Sequence, residues 1–133
     1  MIDAEQTYFQ PAIRRFAIEM MRKFNKKSAI VFNTYQCYLQ SARTQLEQDL
    51  KMSQIENFYF GAKFVRGAYV DQERKRAKDL GYPDPINPTY EDTTTMYHGC
   101  LEHVLGEINR RERGLISIMI ASHNESTIRF ALS

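Results

Sequence analysis

The sequence predicts an α/β fold in which short buried strands alternate with helices. Apolar runs at residues 29–32, 58–65 and 115–121 have the length of strands and lack the alternation expected of a half-exposed strand. The segments between these runs carry apolar residues at helical spacing. Strands that are each followed by a helix form parallel βαβ units, in which helices cover the sheet.

The length of the chain limits the architecture. A complete (βα)8 TIM-type barrel needs about 250 residues, and this chain has 133. Taking residues 1–3 as the end of a further strand gives about four βα units, or half a barrel. We therefore predict a partial (βα)8 TIM-type barrel that forms one domain over residues 1–133. A small doubly wound sheet is the alternative, because periodicity does not distinguish a closed sheet from an open one.

The first part of the chain is predicted to form a helix, a strand and a second helix. The first helix covers residues 11–24, and Pro11 suits its first turn. Its apolar stripe consists of Ile13, Phe16, Ala17, Met20, Met21 and Phe24. A strand at residues 29–32 follows, and the second helix runs from about residue 36 to residue 53.

The second part of the chain continues the alternation. Its predicted elements are a strand at 58–65, a charged helix at 70–80, a helix at 90–111, a strand at 115–121 and the start of a helix at 124–132. Gly81 suits the left-handed residue that ends a helix. Three prolines between residues 83 and 88 predict an exposed loop.

Charge and cysteine content exclude several classes of protein. The formal net charge is +2, and acids and bases alternate along residues 71–79, so a nucleic-acid binder is not predicted. Cys37 and Cys100 belong to no CxxC pair, which predicts two reduced, mostly buried thiols in an intracellular compartment. No apolar run approaches the ~20 residues of a membrane span. Residues 1–5 do not resemble a targeting segment, so any import signal is expected outside this chain.

Four polar clusters follow apolar runs and mark candidate sites. They lie at residues 3–5, 33–36, 66–69 and 122–124. In parallel α/β folds, functional groups gather at the carboxyl ends of the strands. Lys63 lies inside an apolar strand, where an unpaired ammonium is costly, so it needs a carboxylate partner or a function.

Simpler explanations stay open at this point. Asp3 and Asn33 are also suited to cap the next helix, and His123 to bond to nearby backbone. A Rossmann site is not supported, because GxGxxG and Walker motifs are absent. A Ser-His-acid site from Ser122, His123 and Asp3 would lack a nucleophile elbow. No metal site is predicted, since His98 and His103 have no acidic partner at ligand spacing.

Four short blocks of the sequence, taken together, resemble the proline dehydrogenase family. The blocks are residues 1–8 (MIDAEQTY), 32–36 (FNTYQ), 63–69 (KFVRGAY) and 121–124 (ASHN). They occur in the order of that family and at about its spacing, and the resemblance covers essentially the whole chain. Residues 84–90 (DPINPTY) resemble the animal mitochondrial members more than the bacterial ones.

This resemblance implies a distorted βα-barrel that holds FAD noncovalently. Members oxidise L-proline to 1-pyrroline-5-carboxylate and pass electrons to membrane quinone. By resemblance, the chain supplies strands four to seven of that barrel. The implied location is the matrix side of the mitochondrial inner membrane, with peripheral membrane association through the full-length protein.

The resemblance also assigns roles to individual residues. Asp3 matches a pocket aspartate, and Lys63 matches a basic residue near the flavin N5, where bacterial members usually have Arg; both are expected to be catalytic. The residues expected to bind the cofactor are Asn33, Val65, Arg66, Gly67, Ala68, Ser122 and His123. Tyr69 matches a tyrosine of the substrate pocket.

The family places further site residues outside the matched blocks. An Arg pair that clamps the proline carboxylate lies on its eighth strand and last helix, and a substrate-side Lys lies on its first strands. Without such a clamp, binding and hydride-transfer geometry should both fail, so we expect the isolated chain to be inactive. The alternatives are a hydroxyproline dehydrogenase and a truncated, non-catalytic isoform that acts by binding the full-length protein.

Overall fold

The computed structural model describes residues 10–67, 69–111, 114–121, 129 and 132. Its elements are α1 (Gln10–Phe24), β1 (Asn33–Gln36), α2 (Ala42–Glu56), β2 (Phe60–Val65), α3 (Val70–Leu80), α4 (Tyr90–Arg110) and β3 (Ile116–Ile120). The predicted strand ending at residue 3 lies outside the described residues, as does the predicted last helix except at positions 129 and 132. No helix in the described ranges is both long enough and apolar enough to cross a membrane.

The three described strands form one parallel sheet in the order β1-β2-β3. β1 pairs with β2 so that Thr34 lies opposite Lys63, and β2 pairs with β3 so that Lys63 lies opposite Met119. Helices connect the consecutive strands, as parallel pairing requires. The predicted α/β class with a parallel sheet is therefore confirmed.

The two faces of the sheet have different roles. Paired residues of a parallel sheet project to the same side, and successive residues alternate. Tyr35, Phe60 and Phe64 share the side that packs into the core, where the Tyr35 ring centroid lies 6.1 Å from that of Phe60 and 5.9 Å from that of Phe64. The row of Thr34, Lys63 and Met119 projects from the opposite face, away from these aromatic rings.

The predicted strand at residues 29–32 was wrong by four residues. The buried side chain of Asn25 explains the shift, because its oxygen accepts hydrogen bonds from the amides of Ile30 (3.0 Å) and Val31 (2.8 Å). Its Nδ2 donates to the carbonyl of Val31 at 2.9 Å. These bonds use backbone groups that a strand would pair with its neighbour. Residues 33–36, expected as the loop after the strand, form the strand itself.

The second helix also differs from its prediction at both ends. α2 begins at Ala42 and not near residue 36, because residues 37–41 turn after β1 and Leu39 pairs with Ile86 in an isolated antiparallel bridge. It ends at Glu56, three residues later than predicted, where Asn57 takes a left-handed conformation (φ 58°) and its N–H bonds to the carbonyl of Ser53.

The proline-rich loop at residues 83–88 is not wholly exposed, contrary to its prediction. Ile86 and Asn87 are buried. The Asn87 backbone N–H donates to the Tyr38 carbonyl at 2.7 Å, and its side-chain amide donates to the Cys37 carbonyl at 2.9 Å. The loop is thereby fixed against the turn that follows β1, at the carboxyl edge of the sheet.

Candidate functional site

The candidate site lies where the described strands end. Beyond β1 and β2 the backbone pairing continues, because the Cys37 N–H donates to the Val65 carbonyl at 2.8 Å and the Tyr38 N–H to the Arg66 carbonyl at 2.7 Å. These bonds hold the turn after β1 against the segment that begins with Arg66. The predicted cluster at residues 66–69 therefore lies at this edge, apart from Ala68, which is outside the described residues.

Lys63 and Val65 lie together on the face opposite the aromatic core. Both belong to β2, and their spacing of two places them on one side. Lys63 is half-buried, two residues before the end of the strand. The structure therefore places a cation near the carboxyl edge, on the side expected to face the barrel interior.

Gln36 belongs to the predicted polar cluster at residues 33–36, but no individual role was predicted for it. It lies opposite Val65 in the register, so it shares the face of Lys63. Gln36 is only 2% exposed, yet neither its amide nitrogen nor its amide oxygen has a hydrogen-bond partner among the described residues. Burying an amide without partners costs roughly 2–7 kcal/mol, so this side chain needs a partner beyond them.

Asn33 lies at the start of β1 and not beyond its end. Its side chain hydrogen-bonds to the Tyr35 hydroxyl, on the side that faces the core. The Tyr35 hydroxyl donates in turn to Asp49 Oδ2 at 2.6 Å, and burial raises the pKa of this phenol well above its usual value. The structure thus separates Asn33 from Lys63 by a face of the sheet and brings Gln36 to the Lys63 side.

Arg66 turns toward the start of α4. Its guanidinium carbon lies 4.0 Å from the centroid of the Tyr90 ring, and Nη2 donates to the Tyr90 carbonyl at 3.0 Å. Nη1 is buried without a hydrogen-bond partner among the described residues. Arg66 borders a cavity of about 400 Å³ together with Tyr38, Gly67 and Arg74. The segment predicted to contact a cofactor therefore contributes Arg66 and Gly67 to the lining of this cavity.

Position 67 requires glycine for two reasons, its backbone conformation and its contact with Tyr38. Its φ is +122°, a conformation that residues with a side chain rarely adopt. A Cβ at this position would lie 2.4 Å from Cγ of Tyr38. The glycine therefore lets the buried Tyr38 ring pack directly on the backbone after β2. Tyr69, predicted for the substrate pocket, follows closely and is exposed.

The remaining predicted site residues are not described. Asp3, Ser122 and His123 lie outside the described residues. Ala121 is described, and its N–H donates to the carbonyl of Phe64 at 3.0 Å. β3 therefore ends at the same edge of the sheet as β1 and β2.

The two cysteines lie beneath this edge. Both are buried, as predicted, and their thiols are hydrogen-bonded to each other, a contact that their distance in sequence did not indicate. The hydrogen bond to Cys100, reinforced by burial, raises the pKa of the Cys37 thiol well above its usual value. The same hydrogen bond lowers the pKa of Cys100.

The family model and two of the most similar relatives carry the same family name. A family model described as Proline dehydrogenase matches residues 1–133. The protein named proline dehydrogenase 1, mitochondrial, of Drosophila melanogaster is 60% identical over 137 residues, which cover 99% of this chain and 20% of that protein. Its human namesake is 56% identical over 132 residues, with coverages of 99% and 22%. The chain therefore spans about a fifth of the length of these relatives.

A second group of relatives is less similar. The hydroxyproline dehydrogenase of Xenopus laevis is 38% identical over 133 residues, which cover 100% of this chain and 28% of that protein.

Among solved structures, proline utilization A (PutA) from Bdellovibrio bacteriovorus matches with a TM-score of 0.88 over 98% of this chain and 13% of that one. The identity is 23%, so this likeness shows the fold alone: an α/β arrangement with a parallel sheet.

Proposed function

Because this chain belongs to the proline dehydrogenase family, we propose that it forms part of an FAD-dependent enzyme that oxidises L-proline to 1-pyrroline-5-carboxylate. The observation that carries the proposal is the family match over residues 1–133. Identity to two proline dehydrogenases is 60% and 56%, against 38% to a hydroxyproline dehydrogenase. This difference favours proline as the substrate.

The place of the chain in the enzyme is part of the proposal. Residues 1–133 form one partial domain that supplies strands four to seven of a (βα)8 barrel, with β1, β2 and β3 as strands five, six and seven. The PutA likeness supports this architecture. The enzyme acts in proline catabolism and passes electrons to a quinone. The relatives carry mitochondrial names, which supports a location in mitochondria. The matrix side of the inner membrane is proposed from the family resemblance.

The described residues fit a flavin at the carboxyl edge of the sheet. Gln36 presents a buried amide without a partner among the described residues, and Lys63 lies on the same face. The edge of a flavin ring offers both donors and acceptors, which an amide is able to match. When bound, FAD supplies the hydride acceptor for the oxidation of L-proline.

Lys63 is proposed to stabilise the charge that develops during the reaction. Lys63 belongs to β2 and lies two residues before the strand ends. A cation that is already in place when negative charge appears on the ring needs no reorganisation at that moment. By resemblance, this residue is expected to lie near the flavin N5, which is where such a charge would act.

The other roles are proposed by resemblance. Asp3 is expected to belong to the catalytic pocket, and Tyr69 is expected to contact the substrate. The expected cofactor contacts are Val65, Arg66, Gly67, Ala68, Ser122 and His123; Asn33 is left out, because its side chain hydrogen-bonds to the Tyr35 hydroxyl on the core side of the sheet. The convergence of Val65, Arg66 and Gly67 at one edge of the sheet supports this assignment, and Gln36 is added to it from its own geometry.

The function is tested by the visible absorption spectrum of the full-length protein that contains this chain. We expect a flavin spectrum that bleaches when L-proline is added without oxygen. Bleaching by hydroxyproline alone would assign the protein to the sister enzyme. A folded full-length protein without flavin would refute the proposal. An isolated chain that co-purifies with the full-length protein, without flavin of its own, would support the truncated-isoform alternative.

Replacing Gln36 with Leu should separate cofactor binding from stability. We expect the Kd for FAD to rise by about two- to tenfold, because a hydrogen bond contributes roughly 0.5–1.5 kcal/mol and about 1.4 kcal/mol is a tenfold change in affinity. The apoprotein should melt at the same or a higher temperature, because the amide has no partner among the described residues. Flavin fluorescence titration and thermal melting of the apoprotein measure the two effects.

Gln40→Leu is the matched control. Its amide donates to the Ile86 carbonyl at 2.9 Å and to the Asp84 carbonyl at 3.3 Å. This variant should therefore lower the melting temperature and leave FAD affinity nearly unchanged. If Gln36→Leu behaved like Gln40→Leu, Gln36 would be a structural residue and not a cofactor contact.

A further inference from the structure

Tyr97 of α4 reaches the sheet at the end of β2 and β3. Its side chain is fully buried. The hydroxyl lies 2.9 Å from the carbonyl oxygen of Phe64 and 3.3 Å from that of Ala121. The Phe64 carbonyl also accepts the backbone N–H of Ala121 at 3.0 Å. A side chain of the helix layer therefore hydrogen-bonds to the backbone of both strands, next to the last hydrogen bond that joins them.

The hydroxyl links the two strand ends through a single proton. A phenol has one O–H, so the two carbonyls share one donor. Burial, with the neighbouring Cys37 thiol as a smaller cause, raises the pKa of Tyr97 above its usual value. The group therefore stays protonated, and remains a donor, throughout the physiological pH range.

The two carbonyls belong to the segments that carry proposed cofactor contacts. Phe64 lies between Lys63 and Val65, and Ala121 immediately precedes Ser122. We propose that Tyr97 is a positioning residue that holds the end of β2 at Phe64, next to Lys63, in place against the end of β3 at Ala121. This inference rests on the proposed function. Tyr97 acts from α4, and it is not itself proposed to contact the flavin.

Tyr97→Phe in the full-length enzyme tests the proposal, because it removes the hydroxyl and keeps the ring. A misplacement of 1 Å lowers a rate by about 10²-fold. The loss here should be smaller, about 5- to 20-fold, since the Ala121 N–H bond to Phe64 remains. The rate of flavin reduction at saturating L-proline, measured by anaerobic stopped flow, should show this loss. The Kd for L-proline should change by less than about twofold, because the change is one of geometry and not of substrate contact.

Tyr35→Phe is the matched control. It also removes one buried tyrosine hydroxyl, but that hydroxyl donates to Asp49 on the core side of the sheet. We expect it to lower the melting temperature more than Tyr97→Phe does, because it leaves a buried carboxylate short of a donor. Flavin reduction in Tyr35→Phe should stay within about twofold of the wild-type rate, and its visible flavin spectrum should be unchanged, whereas that of Tyr97→Phe should shift.

The outcomes separate this proposal from the proposed function. Slower flavin reduction and a shifted flavin spectrum in Tyr97→Phe alone would support the positioning role. Equal reduction rates and spectra in the two variants, with wild-type protein that bleaches on L-proline, would overturn it and leave the proposed function intact. Wild-type protein that binds no flavin would overturn both.

Discussion

Replacing Lys63 with Met in the full-length enzyme should slow flavin reduction by L-proline by about 10²- to 10³-fold, the usual loss when one preorganised stabilising group is removed. The methionine side chain has similar length and no charge, so it removes the electrostatic contribution with little change in packing. Lys63 shares its register row with Thr34 and Met119 on the face away from the aromatic core. A methionine at this position should therefore be tolerated by the fold. Anaerobic stopped-flow reduction and the flavin content of the purified protein measure rate and binding separately.

Two further variants test whether the slower flavin reduction in Lys63→Met comes from the loss of the charge at this position. Lys63→Arg keeps the charge and should retain activity within about tenfold of wild type, since only the hydrogen-bond geometry changes. Lys75→Met removes a lysine whose side chain is 79% exposed and pairs with Asp79 on α3, so it should have no effect on reduction. Reduction by Lys63→Met at the wild-type rate, with full flavin content, would refute the proposed role of Lys63.

Local signals predicted much of the fold. The bounds of α3 agree with its prediction, because charged helical spacing ends at Gly81, which takes the left-handed conformation (φ 74°). α4 begins at Tyr90 as predicted, where Thr89 caps it by accepting the N–H of Asp92. In each case the residues that determine the boundary lie within one helical turn of it, so the local sequence is sufficient to predict it.

The errors occurred where side-chain hydrogen bonds to the backbone of other segments determine the structure. The strand after α1 begins four residues late, because Asn25 bonds to the backbone of residues 30 and 31 and to the Tyr59 carbonyl. The proline loop is partly buried because Asn87 bonds to residues 37 and 38, across about 50 positions of sequence. Neither contact has a signature in composition or periodicity.

The same shift explains what was missed at the site. With the strand placed at residues 29–32, Asn33 appeared to be the polar residue at its carboxyl end. With β1 at Asn33–Gln36, that position belongs to Gln36. The cluster at residues 66–69 was located correctly at the edge of the sheet, since the end of β2 agreed with its prediction. The resemblance supplied the roles, and the register supplied the face on which each side chain lies.

Asp49→Ala should lower the free energy of unfolding by about 2–4 kcal/mol. Asp49 accepts hydrogen bonds from Arg14 Nη2 at 2.8 Å and from the Tyr35 hydroxyl at 2.6 Å. Its side chain is 1% exposed, and that of Arg14 is 29% exposed. Breaking a fully buried pair costs about 3–5 kcal/mol, and the expected loss is smaller because water is able to solvate Arg14 once the carboxylate is gone. Differential thermal melting of wild type and variant in the full-length enzyme measures the effect.

The chain offers a control that joins the same two helices. Arg22 of α1 and Glu56 of α2 form an ion pair at 2.9 Å, but the two side chains are 34% and 40% exposed. Glu56→Ala should therefore cost no more than about 1 kcal/mol. Equal losses in Asp49→Ala and Glu56→Ala would show that burial does not strengthen the Asp49 interactions. A larger loss in Asp49→Ala that Tyr35→Phe partly reproduces would show instead that this carboxylate fixes β1 to α1 and α2.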